Sequence, residues 1–146
     1  MSRHQSTDCS LSTDLLFIFL LLVPTTIGVS PIEGIGVFAA ERIKKGTPVW
    51  EFTQGFDLEI PGESIRKLPP SMRATMLKYA YRIAKTDTYV LPADDARFMN
   101  HSDHPAVLIV QGDGPDIAAR DIAPREELTV DYSAFDEDFT GSFSAS

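Results

Sequence analysis

A chain of 146 residues with 43% hydrophobic content is long enough for one packed domain, and one domain is the expectation. Thirteen Lys and Arg against 21 Asp and Glu give a net charge of −8, which argues against direct nucleic-acid binding and for a basic partner. The single cysteine, Cys9, excludes an internal disulfide framework and a Cys-clustered zinc site, and fits a reducing, cytoplasmic compartment.

Residues 1–14 are polar and aperiodic and read as a disordered tail. Leu15 to Val23 is an unbroken apolar run, too short to span a bilayer. It has the length of a signal-peptide core, but Asp14 precedes it where positive charge is expected. Pro24-Thr25-Thr26-Ile27-Gly28 after it offers no small-x-small cleavage site. A buried first strand is therefore the expectation, with a signal or anchor as the alternative, and no membrane partner is expected. Gly34-Ile35-Gly36 before Val37-Phe38-Ala39 reads as a turn feeding a strand. It is not a dinucleotide fingerprint, because no third glycine opens a helix after it.

Ala40 to Val49 recurs loosely as Ala119 to Leu128, each with Ala, then Ile three residues on, a turn and a strand. The pair predicts two similar corners of a β structure with Ile43 and Ile122 buried. Val49 to Phe52 reads as a strand and Gln54-Gly55 and Pro61-Gly62 as loop punctuation. Pro69-Pro70-Ser71 predicts a helix start, and Met72, Met76, Tyr79 and Ile83 predict a core-facing stripe on that helix. Further strands are expected at Thr88 to Leu91, at Val107 to Val110, at Asp116 to Ala119 after a Gly112-Asp113-Gly114 turn, and at Leu128 to Tyr132. Many short strands and one substantial helix predict a mainly β, β-rich α+β fold without βαβ rhythm.

The most site-like stretch is Arg97-Phe98-Met99-Asn100-His101-Ser102, where two apolar residues run directly into three polar ones. Such side chains enter a core only when hydrogen bonds or a ligand await them. A metal-dependent hydrolase built on Asp94, Asp95, His101, Asp103 and His104 is one reading. No His-x-x-x-His or Glu-x-x-His spacing reinforces it, and no metal is expected. A nucleophilic triad is excluded, since Ser102 and His101 are adjacent and no Gly-x-Ser-x-Gly turn occurs.

Three segments, Gly34-Ile35-Gly36-Val37-Phe38-Ala39, Arg97 to Ser102 and Glu126-Glu127-Leu128-Thr129-Val130-Asp131-Tyr132, together resemble the signatures of the SET domain of protein-lysine methyltransferases. The resemblance covers roughly residues 20–135. It implies a domain over residues 15–135 made of several small sheets, in which the chain around Asn100 forms a pseudoknot beside Tyr132. It also implies S-adenosylmethionine as cofactor and a lysine in a basic protein as substrate. By resemblance, Gly34, Ile35 and Gly36 approach the methionine part of the cofactor and Asn100 hydrogen-bonds it. Phe98 walls the pocket, His101 meets the adenine largely through its main chain, and Tyr132 is the catalytic residue.

The chain departs from the family pattern in three places. Asp103-His104-Pro105-Ala106 stands where many members carry Cys and later Pro-Asn, and the cysteine-rich zinc segment after the tyrosine is missing. Only Trp50 and Phe52 stand where members often carry a tyrosine. Closure of the lysine channel then falls to the aromatic, acidic tail over residues 136–146 and to its neighbour Phe135, the expected substrate-binding residue. The alternative reading is a SET-like module that has lost catalysis and binds a basic protein or peptide. The methylation state and a homodimeric assembly stay open at this level.

Overall fold

The computed structural model describes residues 21–110 and 114–134. The first half holds β1 (Thr25–Val29), β2 (Ile35–Ala39), β3 (Pro48–Trp50), β4 (Leu58–Pro61), α1 (Gly62–Arg66) and α2 (Pro70–Tyr79). The second holds β5 (Tyr81–Ile83), β6 (Thr88–Leu91), β7 (Asn100–His101), β8 (Val107–Leu108), β9 (Asp116–Ala118) and β10 (Glu127–Val130). These strands form three small sheets in the orders β1-β2-β10-β7, β3-β9-β8 and β4-β6-β5. The mainly β class expected from the sequence is the observed one.

The core lies where β2 and β10 run antiparallel, with Leu128 opposite Val37 and Glu127 opposite Phe38. Val37, Ala39, Leu128 and Val130 enter it from these strands and pack with Met99, Val107, Ala118 and Ile122. Neither strand shows a clean period of two, because both are covered on two sides and apolar residues suit either face. β7 lies parallel to β10, Asn100 opposite Thr129 and His101 opposite Val130. The Ser102 amide then donates to the Val130 carbonyl at 3.0 Å. This contact brings the segment around Asn100 beside the end of β10, as the pseudoknot expectation requires.

The two similar corners pair with each other. Ile43 and Ile122 are 3% and 0% exposed, and each donates its amide to the other's carbonyl, at 2.9 and 2.8 Å. The correspondence extends to the turns, since Gly46 and Arg125 occupy equivalent places and both have positive φ, 84° and 69°. Glycine adopts that conformation freely, whereas a residue with a Cβ is strained in it.

Several expectations shift. The helix starts at the prolines as expected but ends at Tyr79, because Ala80 is already extended and the chain turns into β5 to pair with β6. Ile83 therefore belongs to a strand, and the stripe is not core: α2 buries no residue and Met72 is 54% exposed. β10 starts one residue earlier than expected and stops at Val130, so Tyr132 opens a 3-10 turn over Tyr132–Ala134. β1, β4, β5 and β7 carried no strand signal strong enough to predict. Of the apolar run at 15–23, residues 15–20 lie outside the described residues. Leu21 bridges to Trp50, and the Leu22 amide donates to the Val49 carbonyl. Gly112 and Asp113 also lie outside, but β8 and β9 on either side pair antiparallel, as a hairpin requires.

Two substitutions test this account by urea denaturation. Leu128→Ala empties a fully buried site between two central strands and should cost about 2–5 kcal/mol. Arg125→Gly should stabilise by about 0.5–1 kcal/mol by relieving the left-handed turn; a loss of stability would mean that Arg125 is held there by contacts worth more than the strain.

Candidate active site

The site begins in the connection between β1 and β2. The Ser30 amide donates to the Gly34 carbonyl at 2.9 Å, and the Ser30 hydroxyl accepts from the amides of Ile32 and Glu33 at 3.0 and 3.4 Å. Gly34 sits at φ +48°, so the first glycine of the motif serves a left-handed turn. Gly36 has a different reason to be glycine. Its φ is ordinary, but a Cβ there would lie 2.3 Å from Glu127 Oε1, inside any allowed contact.

That carboxylate is the hub of a polar cluster. The Ser30 hydroxyl donates to Glu127, 2.8 and 2.9 Å from its two oxygens. Asn100 Nδ2 donates to Glu127 Oε1 at 2.8 Å and to the carbonyls of Glu33 and Ile35 at 3.1 and 3.2 Å. The parallel contact between β7 and β10 makes this possible, since Glu127 lies on the strand beside which Asn100 is laid.

His101 and Tyr132 form a second cluster. The Tyr132 amide donates to His101 Nδ1 at 3.1 Å, so that nitrogen is an acceptor and the ring proton of the neutral imidazole resides on Nε2. Nε2 then donates to Asp103 Oδ1 at 3.0 Å. The Asp103 side chain is 89% exposed, so this contact orients the ring more than it stabilises the fold. The two rings lie 5.6 Å apart between centroids, tilted by 47°. The Tyr132 hydroxyl donates to the carbonyl of Met99, itself buried in the core. With its proton engaged there, the phenol oxygen can meet a further group only as an acceptor.

Gly34, Ile35, Phe98, Asn100, His101 and Tyr132 all line one open groove of about 1460 Å³. Six of the eight residues predicted from sequence are thus brought together. Gly36 is not on the groove wall but lies against Glu127, and Phe135 and the 136–146 tail lie outside the described residues. Phe98 is held edge-on by Tyr79, centroids 5.7 Å apart at 85°. Trp50 and Phe52 continue the aromatic wall, and the buried Trp50 indole N–H has no partner among the described residues.

The residues weighed as metal ligands serve other ends. Asp94 caps a turn, accepting from the amides of Ala96 and Leu21 at 3.0 and 2.7 Å, while Asp103 meets only His101 among them. Among the described residues no three His, Cys, Asp or Glu side chains gather as a metal site would require. The altered segment after Ser102 is nevertheless fastened: the Ala106 amide donates to the buried Thr129 hydroxyl at 3.1 Å, and Ala106 is fully buried.

Sequence reasoning missed Ser30, Glu127 and Asp116. Glu127 stood in a recognised motif, but only the register of β10 against β2 shows that it fills the void over Gly36. Asp116 is an acid in a short strand on the groove wall, opposite Trp50, accepting from the Val110 amide at 3.1 Å. Burial pushes its carboxyl up to about 6, against the lowering effect of that hydrogen bond. Tyr81, on the same wall, is pushed above the usual phenol range, first by burial and then by Asp116, Asp57 and Glu59.

The sequence profile of the SET domain matches residues 34–133. A search of curated proteins finds no match. Among solved structures, a Plasmodium falciparum protein described as a candidate histone methyltransferase superposes with a TM-score of 0.51 at 22% identity, covering 75% of this chain and 93% of that one. A Neurospora SET domain protein described as a histone lysine methyltransferase superposes at 0.56 with 23% identity, covering 77% of this chain and 53% of that one. At these identities the likeness is one of fold.

Asp116 yields a prediction with a definite sign. Its carboxyl is raised in the fold, so the folded protein holds a proton there that the unfolded chain releases between about pH 4 and 6, and stability falls as pH rises through that window. Asp116→Asn should therefore stabilise the protein at pH 7, by about 1–2 kcal/mol once water at the groove is allowed for, and leave it unchanged near pH 4. Denaturation curves at both pH values check this; equal gains at the two would assign the effect to packing instead.

Proposed function

Because this chain belongs to the SET-domain family, we propose that it transfers a methyl group from S-adenosylmethionine to the ε-amine of a lysine in a basic protein. The observation that carries the reading is the convergence of Gly34, Ile35, Asn100, His101 and Tyr132 on one groove, from segments about 30 and 60 residues apart in the chain. The donor set fits the cofactor. Asn100 has an amide oxygen to offer, the chain at Gly34 and Ile35 lies against the groove, and aromatic rings are available for a flat base. When bound, the cofactor supplies an electrophilic methyl group on a sulfonium.

The rest is work for the protein. A lysine with a reference pKa of about 10.4 is less than about 1% neutral near pH 8, and only the neutral amine has the lone pair that attacks the methyl carbon. That lone pair would take the methyl from a cofactor held at Gly34, Ile35 and Asn100, with the neutral sulfide as leaving group, and the proton displaced from nitrogen would pass to solvent. The aromatic wall of Trp50, Phe52, Tyr79 and Phe98 gives the groove an apolar flank, which disfavours the ammonium and eases its deprotonation. The Tyr132 oxygen, fixed by its hydrogen bond to the Met99 carbonyl, accepts an N–H of the amine and aims the lone pair. His101 sets the position of Tyr132 through the backbone amide.

A net charge of −8 favours a lysine-rich substrate, by an attraction that salt weakens. Phe135 is assigned to the lysine side of the channel, and a cytoplasmic location belongs to the same reading. A second reading, a module of this fold that binds a basic protein without catalysis, is favoured by Asp103-His104-Pro105-Ala106 standing where many family members carry Cys and later Pro-Asn.

Calorimetry and a labelled methyl-transfer assay on a basic protein extract separate the two. Tyr132→Phe should leave cofactor affinity within about threefold while lowering transfer by at least about 100-fold. Wild-type protein that binds the extract but neither binds S-adenosylmethionine nor transfers label would favour the second reading.

A further inference from the structure

We infer that Glu127, braced by Ser30, is a positioning residue that fixes which end of the Asn100 amide faces the groove, and thereby makes the site selective for a ligand ammonium. The inference rests on the cofactor reading above. The Ser30 hydroxyl already accepts two amide hydrogens, from Ile32 and Glu33, so its own proton points to Glu127, 2.8 and 2.9 Å from the two carboxylate oxygens. Held this way, Glu127 presents Oε1 to Asn100 at 2.8 Å.

The carbonyls of Glu33 and Ile35 present two more oxygens to the same Asn100 nitrogen. Three acceptors surround one end of the amide, so that end must be the NH2. Flipping the side chain would set an oxygen against three oxygens, one of them charged. The consequence is that Oδ1 points away from the cluster, and no described residue donates to it. An acceptor backed by a carboxylate suits a ligand ammonium and repels a ligand carboxylate. In an α-amino-acid sulfonium the matching group is the α-ammonium. Gly36 is part of the same device, because a Cβ there would occupy the place of Oε1, 2.3 Å away.

The test is a thermodynamic cycle by calorimetry on the full chain, with S-adenosylmethionine and its analogue lacking the α-amino group as probes. In the wild type, loss of the amino group should weaken binding about 10- to 100-fold, the range of a charge-assisted hydrogen bond. Glu127→Gln removes the charge and turns an NH2 toward a Ser30 oxygen whose lone pairs are taken. Gly36→Ala displaces the carboxylate, and Ser30→Ala removes its brace. In each, the penalty for the missing amino group should shrink to within about threefold, while affinity for the analogue itself changes little. A purely structural role would weaken both probes alike.

Thermal melts show which variants fold, and the three routes to the same cluster keep the test decisive should one of them fail to fold. Folded variants that retain the wild-type amino dependence would overturn the inference and leave the cofactor reading intact. Folded wild type that binds neither probe would overturn the cofactor reading, and the inference with it.

Discussion

The site depends on a contact two residues long. Asn100 and His101 lie parallel to Thr129 and Val130, and nearly everything chemical follows from that register. It sets Asn100 within reach of Glu127, brings the Tyr132 amide to the His101 ring, and lets the Tyr132 hydroxyl reach the Met99 carbonyl. Parallel pairing over so short a length is weak by itself. It is held by what lies on each side: Met99 and Val130 are buried in the core, and the Ala106 amide is tied to the Thr129 hydroxyl beneath. A slip of one residue would turn Asn100 away from its three acceptors and leave a half-buried carboxylate with Ser30 as its remaining donor.

Polar groups divide the molecule into parts that reinforce the fold and parts that strain it. Ser30 and Asn100 both donate to Glu127, so holding that carboxylate here costs little. Asp116 is different. It has one backbone donor and no cation opposite it among the ion pairs of the described residues, and its carboxyl is pushed up to about 6. A group that lowers stability while standing on the wall of a groove is the pattern expected where function outweighs stability. Arg125 is a smaller example, a left-handed residue where the equivalent corner uses Gly46.

The paired corners explain how a chain of short strands holds together. Ile43 and Ile122 exchange backbone hydrogen bonds and fill the same core from two directions. The β3-β9-β8 sheet is thereby fixed against the sheet that carries the site. The β4-β6-β5 sheet with α1 and α2 stands further out, and there the described helices are mostly exposed. Its contribution to the site is the aromatic edge supplied by Tyr79 and Tyr81.

Composition, short strand signals and three motifs in order were enough to establish the mainly β class and the SET family. They also picked out six of the residues that line the groove, because each lies within a motif written contiguously in the chain. The sequence could not supply what depends on register between distant segments. The stripe on α2 looked like core because periodicity cannot report what a helix packs against, and here it is at most half-buried, with Tyr79 against Phe98. Gly36 read as part of a turn, yet it is the room left for a side chain 91 positions later. His101 and Asn100 look alike as polar residues in a motif. The resemblance gave them different roles, and tertiary structure adds the contacts behind those roles: His101 accepts from the backbone of Tyr132, while Asn100 donates to Glu127.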